Sequence, residues 1–149
     1  MIHMTLPYLA PTVNHVYMHI RKGNKTLRVL TAEGRKFKKE AEAHLTKTYP
    51  LLLAGMKKDT PYSMFFKFTV TDLVNKGWAK GETARYKRHD VSNRIKVLED
   101  VIVEVTAVDD ANYMTVACQK VQGEEERTDI YIWNLEKEGS PFDAAALSL

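Results

Sequence analysis

The sequence from residue 86 to residue 96 reads YKRHDVSNRIK, and the acidic pairs Glu99-Asp100 and Asp109-Asp110 follow it. Basic side chains thus directly precede a segment whose apolar residues recur with the period of an α-helix. Separated carboxylates can hold a divalent cation, and the adjacent positive charge would attract a polyanion. The simplest chemistry that uses both features is metal-dependent hydrolysis of a nucleic-acid backbone.

We predict a helix over residues 91–105, because its apolar side chains share one side of a helical wheel drawn at about 100° per residue. This stripe consists of Val91, Ile95, Leu98, Ile102 and Val105. The opposite side presents a polar set: Ser92, Asn93, Lys96, Glu99 and Asp100. Asp90 precedes the helix at the position of an N-terminal cap, where unpaired backbone amides favour an anion.

The rest of the chain predicts several strands and one further helix. Apolar alternation and turn signals predict strands at residues 2–8, 17–20, 27–30, 63–71, 113–121 and 128–134, the last two joined as a hairpin by a polar turn. Thr31 is the predicted cap of a helix that ends before Pro50, with Phe37, Ala41 and Leu45 on its apolar side. Residues 72–89 predict an exposed, mobile loop. This order favours an α+β fold, in which a mixed β-sheet is packed by two main helices.

Length and composition predict a single domain over residues 1–135, followed by a flexible acidic tail at residues 136–149. The chain has 149 residues, of which 28% are charged and 44% hydrophobic. We see neither a signal-peptide pattern nor an apolar run near the roughly 20 residues that cross a bilayer, so we expect a cytoplasmic protein without a membrane partner. Cys118 is the single cysteine, which excludes an intramolecular disulfide.

Positive charge is concentrated in two stretches, although the net charge is only +3. Residues 19–39 hold eight lysines and arginines against one acid, and residues 76–89 hold five against one. Residues 122–149 are instead acidic, with seven acids and two bases. This segregation suggests a surface for phosphates and an acidic end that stays away from them. Solvated helix faces and loops explain the same counts equally well.

Each residue of the acidic cluster also has a purely structural explanation. Asp90 would serve only as a helix cap, and Asp109 with Asp110 only as a turn before a strand. Lys96 and Asp100 would form an i,i+4 ion pair. The joint arrangement instead predicts a site for Mg²⁺, which takes its remaining ligands from water and substrate phosphate. Histidine spacing does not support a zinc site, and we find no nucleotide-binding or serine-hydrolase motif.

These residues resemble the RusA family of Holliday-junction resolvases. The resemblance rests on a long motif, Arg88-His89-Asp90-Val91-Ser92-Asn93, with Lys96, Asp100 and Asp109-Asp110-Ala111 after it. The family's opening segment is similar to Leu6-Pro7, Pro11-Thr12-Val13-Asn14 and Tyr17. The start of its first helix is similar to Thr31-Ala32-Glu33-Gly34. In all, the resemblance extends in the same order over residues 5–120.

The resemblance implies a metal-dependent endonuclease that resolves four-way DNA junctions by paired phosphodiester hydrolysis in recombination or repair. It implies a RusA-like domain over residues 1–135, a homodimer, and branched DNA as the partner. Mg²⁺ is the implied cofactor, with Mn²⁺ as a substitute. Because many members are encoded by phages, the implied location is the cytoplasm of a bacterial host.

Carried over residue by residue, the resemblance implies a catalytic set of Asp90, Lys96 and Asp110. Asp90 and Asp110 would hold the metal, and Asp109 and Glu99 are further candidate ligands. Lys96 would neutralise charge on the scissile phosphate. DNA contacts, mainly to phosphates, are expected from a polar and basic set: Asn14, Arg35, Lys36, Lys39, Arg85, Lys87 and Arg88.

One position departs from the family pattern, because Ser92 stands where the family has its usual second acid. Either Glu99, two turns and about 10 Å along the helix, replaces that acid, or water fills the position. Two other interpretations stay open: a DNA-binding module of the same fold without catalysis, and a phage structural or regulatory protein whose acids are only caps and turns. Trp78 in the basic loop either stacks on an unpaired base or anchors the loop.

Overall fold

The computed structural model describes residues 1–81 and 84–142. Its strands and helices follow in the order β1 (Ile2–Leu6), α1 (Val13–Val16), β2 (Tyr17–Lys22), β3 (Lys25–Leu30), α2 (Ala32–Thr48), α3 (Pro50–Ala54), β4 (Tyr62–Val70), α4 (Ser92–Thr106), β5 (Tyr113–Gln122), β6 (Arg127–Asn134) and α5 (Leu135–Glu138). Short 3-10 helices lie at Trp78–Lys80 and Asp110–Asn112. The predicted α+β class with a mixed sheet is confirmed.

The main sheet has the strand order β1-β6-β4-β5, in which β4 is parallel to β5 and antiparallel to β6. The predicted hairpin of residues 113–121 and 128–134 is therefore wrong, since β4 lies between these two strands. The intervening turn crosses the end of β4, where the Gly123 amide donates to the Val70 carbonyl at 3.0 Å. The apolar strand β4, with Met64, Phe66 and Phe68 fully buried, takes the central position because it then pairs along both edges.

Helix α2 has the cap and the apolar side that the sequence predicts. The Thr31 hydroxyl accepts a hydrogen bond from the Gly34 amide at 3.0 Å, and Phe37, Ala41 and Leu45 are buried. Gly34 permits a close approach to α1, because a Cβ at this position would lie 2.4 Å from the carbonyl oxygen of Val16. Helix α2 ends at Thr48 as expected, and Pro50 opens α3, which the sequence pattern did not predict.

Helix α4 begins and ends within one residue of its predicted bounds, but it buries a wider band than the predicted stripe. Leu98 and Ile102 are buried as expected, together with Val97 and Val101. The other three members of the stripe, Val91, Ile95 and Val105, are only partly buried at the edge of the core. The band is wider because α1, α2 and α3 all contact α4.

The predicted tail lies partly outside the described residues, which end at Phe142. The part that the structure describes begins with α5 and continues to Phe142, whose ring contacts Phe65 and Trp133 on the sheet face that points away from α2 and α4. Within the described residues, no helix is both long and apolar enough to cross a membrane.

The same face of the sheet holds a buried acid, Asp129, whose side chain is 2% exposed. Its carboxylate contacts His3 Nε2 at 2.8 Å and accepts hydrogen bonds from Thr5 Oγ1 at 2.9 Å and Arg127 Nε at 3.0 Å. Burial alone would raise the pKa of Asp129, but these hydrogen bonds outweigh it, and the pKa lies below its usual value.

We expect Asp129 to make folding sensitive to acid. A carboxyl group whose pKa is lower in the folded state contributes stability above its unfolded pKa, near 3.8, and this stability is lost as the pH falls through the folded value. Denaturant unfolding at pH 7 and pH 3 should therefore show a larger loss of stability in the wild type than in Asp129→Asn. Glu124→Gln, at an exposed acid, is the control. Equal losses in the wild type and Asp129→Asn would contradict this role.

Candidate active site

The acidic residues that follow α4 fold back beside the helix. Ala107, in a left-handed conformation with φ of 55°, turns the chain at the helix end. Asp109 then accepts a hydrogen bond from the Ala111 amide at 2.9 Å and so begins the 3-10 helix that contains Asp110. The result is an open cavity of about 310 Å³, lined by Lys38, Glu99, Asp100, Val103, Glu104, Asp109 and Asp110. Tertiary structure thus brings together three of the predicted site residues, Glu99, Asp109 and Asp110.

Lys96 is held next to this cavity by Asp100. Its Nζ lies 3.1 Å from Asp100 Oδ1, so the i,i+4 pair expected from spacing is present. This hydrogen bond raises the pKa of Lys96, and the charges of Asp100, Glu99 and Asp110 act in the same direction against partial burial. Lys96 therefore remains a cation at neutral pH beside a cluster of carboxylates.

Glu99 faces an excess of negative charge. Burial raises its pKa, and the charges of Asp100 and Asp110 raise it further, while Lys96 acts in the opposite direction. A carboxylate such as Glu99, whose pKa is raised by burial and by neighbouring negative charge, is stabilised in its charged form by a bound cation. The electrostatics of this cavity therefore favour cation binding.

Asp90 occupies a different place, since it is not among the residues that line the cavity. Its Oδ1 accepts from Ser92 Oγ and its Oδ2 from Asn93 Nδ2, both at 2.7 Å. The bond from the Ser92 hydroxyl is the largest cause that lowers the pKa of Asp90, and the backbone amides of Asn93 and Ser92 act in the same direction. The cap position of α4 is Val91, so the prediction that Asp90 caps the helix is wrong by one residue, and Asp90 instead binds the side chains of Ser92 and Asn93. Ser92, the departure from the family pattern, supports Asp90.

Oxygen ligands of this kind suit a hard divalent cation. Mg²⁺ keeps several waters and needs only one or two protein carboxylates, so Asp110 with Asp109 or Glu99 fits by donor chemistry. Over residues 1–81 and 84–142, no group of three or more acidic, histidine or cysteine side chains is placed to hold a metal ion. A metal shared by Asp90 and Asp110 stays a prediction.

The basic residues predicted to bind DNA fall into separate places. Arg35 and Lys39 line a cavity of about 220 Å³ that shares Lys38 and Glu104 with the acidic cavity. Lys36 lies elsewhere, in a groove of about 400 Å³ whose other lining residues include Tyr8, Glu40 and Arg94. Asn14 is exposed on α1. Arg35 and Lys39 therefore line a cavity that adjoins the acidic cavity.

The stretch between β4 and α4 is exposed, as predicted, but its described parts are paired. The Asn75 amide donates to the Arg85 carbonyl at 2.8 Å, and the Lys87 amide donates to the Leu73 carbonyl at 2.9 Å. These bonds form an antiparallel arm, whose residues 82 and 83 lie outside the description. The sequence did not predict the arm, because its pairing leaves no apolar alternation to detect.

Side-chain contacts supplement the backbone hydrogen bonds of this arm. Asp72 forms an ion pair with Lys87 at 3.3 Å, and its carboxylate lies 3.1 Å from His89 Nε2. The guanidinium of Arg85 lies 4.9 Å from the ring centre of Trp78 and 5.3 Å from that of Tyr86. Trp78 is 45% exposed, so its ring is accessible as well as packed against Arg85. Arg88 is exposed beside the helix start.

Two further residues, Asp100 and Tyr17, belong to the site but were not among its predicted catalytic, metal-binding or DNA-binding residues. Asp100 accepts a hydrogen bond from the Tyr17 hydroxyl in addition to its contact with Lys96. Burial raises the pKa of Tyr17, and the hydrogen bond to Asp100 raises it further, so the hydroxyl keeps its proton. Spacing placed Asp100 on the polar face and Tyr17 in the N-terminal motif, but neither pattern could show that they meet.

A family model for the endodeoxyribonuclease RusA matches residues 8–133 of the chain. The matched span is most of the chain and includes both cavities, the basic arm and every predicted site residue. A search of curated proteins found no match.

Proposed function

The chain belongs to the RusA family of endodeoxyribonucleases, and we propose that it resolves four-way DNA junctions by metal-dependent hydrolysis of two phosphodiester bonds. The observation that carries the proposal is the acidic cavity, in which Glu99, Asp109 and Asp110 meet beside the cation of Lys96. We further propose that the protein acts in recombination or repair of a phage or prophage genome.

The acidic side chains and the lysine of the site have different proposed roles. Asp110, with Asp109 or Glu99 and with Asp90 at the helix start, would hold Mg²⁺ or Mn²⁺. A divalent cation bound there supplies Lewis-acid polarisation of the phosphate and an activated water. Lys96, held by Asp100, stabilises the negative charge that develops on the phosphate oxygens.

We assign DNA binding to basic residues of helix α2 and of the segment between β4 and α4. Arg35 and Lys39 would contact phosphates from α2, and Arg85 and Arg88 from the arm. Such contacts orient the duplex and carry little sequence information, which suits recognition of a branched shape. A junction offers two symmetric strands, so a homodimer with one site for each strand fits the substrate.

A second candidate is a DNA-binding module of the same fold that does not cut. The observation that favours it is the state of Asp90, whose two oxygens accept hydrogen bonds from Ser92 and Asn93. Because Ser92 replaces an acid, the site also has one carboxylate fewer than the family pattern.

The first experiment uses the full chain, a labelled synthetic four-way junction and a linear duplex of the same sequence, each with Mg²⁺, Mn²⁺ or EDTA. Paired symmetric nicks in the junction alone, abolished by EDTA, would support the resolvase. Tight junction binding in EDTA without cutting in either metal would support the non-catalytic module. Absence of both binding and cutting would contradict both candidates.

Tyr17→Phe tests whether the tyrosine orients Asp100 for catalysis. The variant keeps the ring, over which the Arg28 guanidinium lies at 4.1 Å, and removes only the hydroxyl. We expect cleavage under single-turnover conditions to slow about tenfold, the cost of one hydrogen bond to a charged group of about 1.5 kcal/mol, with unchanged junction affinity. Tyr49→Phe, which removes a hydroxyl bonded to the Thr5 amide, is the control. An unchanged rate in Tyr17→Phe would exclude this role.

A further inference from the structure

The hairpin of β2 and β3 is separate from the main sheet, and its register gives it two different faces. The first, which we name the tyrosine face, carries Tyr17, His19, Arg21, Thr26, Arg28 and Leu30. The second, the outer face, carries Met18, Ile20, Lys22, Lys25, Leu27 and Val29. Side chains alternate along a strand, so each face follows directly from the pairing.

The tyrosine face is continuous with the active site. Tyr17 donates its hydroxyl to Asp100, and Arg28 packs over the Tyr17 ring. Leu30, at the base of the same face, lines the cavity of Arg35 and Lys39, which adjoins the acidic cavity. The tyrosine face therefore contacts Asp100 of the site through Tyr17. Through Leu30 it also adjoins two cations of helix α2, Arg35 and Lys39.

The outer face has a different character. Its central residues are apolar and exposed, with Met18 at 43% and Ile20 at 41%. Its two cations, Lys22 and Lys25, face each other at the end of the hairpin, next to the turn. A row of exposed apolar side chains is a poor binding surface for a phosphate backbone. The arginines of the tyrosine face are suited to it, because a guanidinium can donate two hydrogen bonds to phosphate oxygens.

We propose that the tyrosine face binds the phosphate backbone of one duplex arm of the substrate, with Arg21 and Arg28 as the contacts. The inference rests on the proposed function. Arg21 is four residues from Tyr17, about 13 Å along the strand at ~3.3 Å per residue. At about 3.4 Å of duplex axis per nucleotide of one strand, this distance corresponds to about four nucleotides. The hairpin thus contacts the DNA duplex at a distance from the bond that is cut.

The test compares two double variants with the same loss of charge in the same hairpin, Arg21→Gln/Arg28→Gln and Lys22→Gln/Lys25→Gln. Junction affinity is measured in EDTA over a series of salt concentrations. Two lost phosphate contacts should reduce the slope of log affinity against log salt by about 1.8 in the tyrosine-face variant. The outer-face variant should keep the wild-type slope. Arg21→Gln alone should give about half of the change, which separates lost charge from any disturbance of Tyr17.

Equal slopes for the two double variants would overturn the inference for the hairpin. Wild-type protein that binds and cuts the junction would still support the proposed function in that case. If the wild type neither binds nor cuts the junction, the proposed function fails, and the hairpin inference fails with it. A reduced slope in the tyrosine-face variant alone would support the assignment.

Discussion

Replacement of Asp90 and Asp110 together by asparagine is expected to abolish junction cleavage and to preserve junction binding. Loss of the carboxylates removes the charge that would hold a divalent cation, and metal catalysis contributes several kcal/mol of transition-state stabilisation. The single-turnover rate should therefore fall by about 10³-fold or more. Junction affinity should stay equal or increase, because repulsion between these carboxylates and phosphates is removed.

The single variants show how much of the lost cleavage rate depends on each of the two positions. Asp110→Asn should account for most of the lost rate, because Asp110 lines the acidic cavity. Asp90→Asn should lower the rate less, because Asp90 is not among the residues that line this cavity. Glu124→Gln/Glu125→Gln makes the same change of charge in the turn between β5 and β6 and is the control. A double variant at Asp90 and Asp110 that cuts at the wild-type rate would refute the site assignment.

The same variants also test the structural or regulatory alternative. If the acids are only caps and turns, the double variant should lose stability and show the same DNA binding as the wild type. Circular dichroism and denaturant unfolding measure the stability of the variant, and junction affinity measures its DNA binding. Loss of cleavage in a folded variant that still binds the junction is the result specific to an enzyme.

Lys96→Ala is the second change with a large expected effect, a loss of about 10²-fold to 10³-fold in the single-turnover rate. The lysine supplies a fixed positive charge beside the carboxylates, and its pKa is raised by Asp100, so it is charged at neutral pH. Stability should change little, since an exposed i,i+4 pair contributes only about 0.3–0.5 kcal/mol. The loss of rate therefore reports catalysis and not unfolding.

Lys38→Ala is the matched control for Lys96. Lys38 lines the acidic cavity, next to which Lys96 lies, but it pairs with Glu42 at 3.7 Å and not with Asp100. We expect its cleavage rate to stay within about threefold of the wild type, the scale of a surface pair of about 0.5 kcal/mol. Similar losses in both variants would indicate that general positive charge, and not the position of Lys96, supports the reaction.

Local patterns in the sequence determined most of the elements. The period of apolar residues predicted α4 to within one residue at each end, and Thr31 predicted the start of α2. Alternating residues predicted strands at the positions of β1 to β6. The motif from Arg88 to Asp110 and the N-terminal segment identified the family, which the match over residues 8–133 confirmed. These predictions are correct because each depends on residues that are near one another in the chain.

Tertiary structure alone decided the strand order and the contacts of the site. The turn after β5 resembles a hairpin locally, yet β4 lies between β5 and β6, because an apolar strand gains most from pairing along both edges. The meeting of Tyr17 with Asp100 joins residues 83 positions apart. Asp110 lies beside Glu99 because of the left-handed turn at Ala107, and Asp90, outside that cavity, is held by the hydroxyl of Ser92. Such long-range packing has no periodic signature in the sequence, so it becomes visible only in the folded chain.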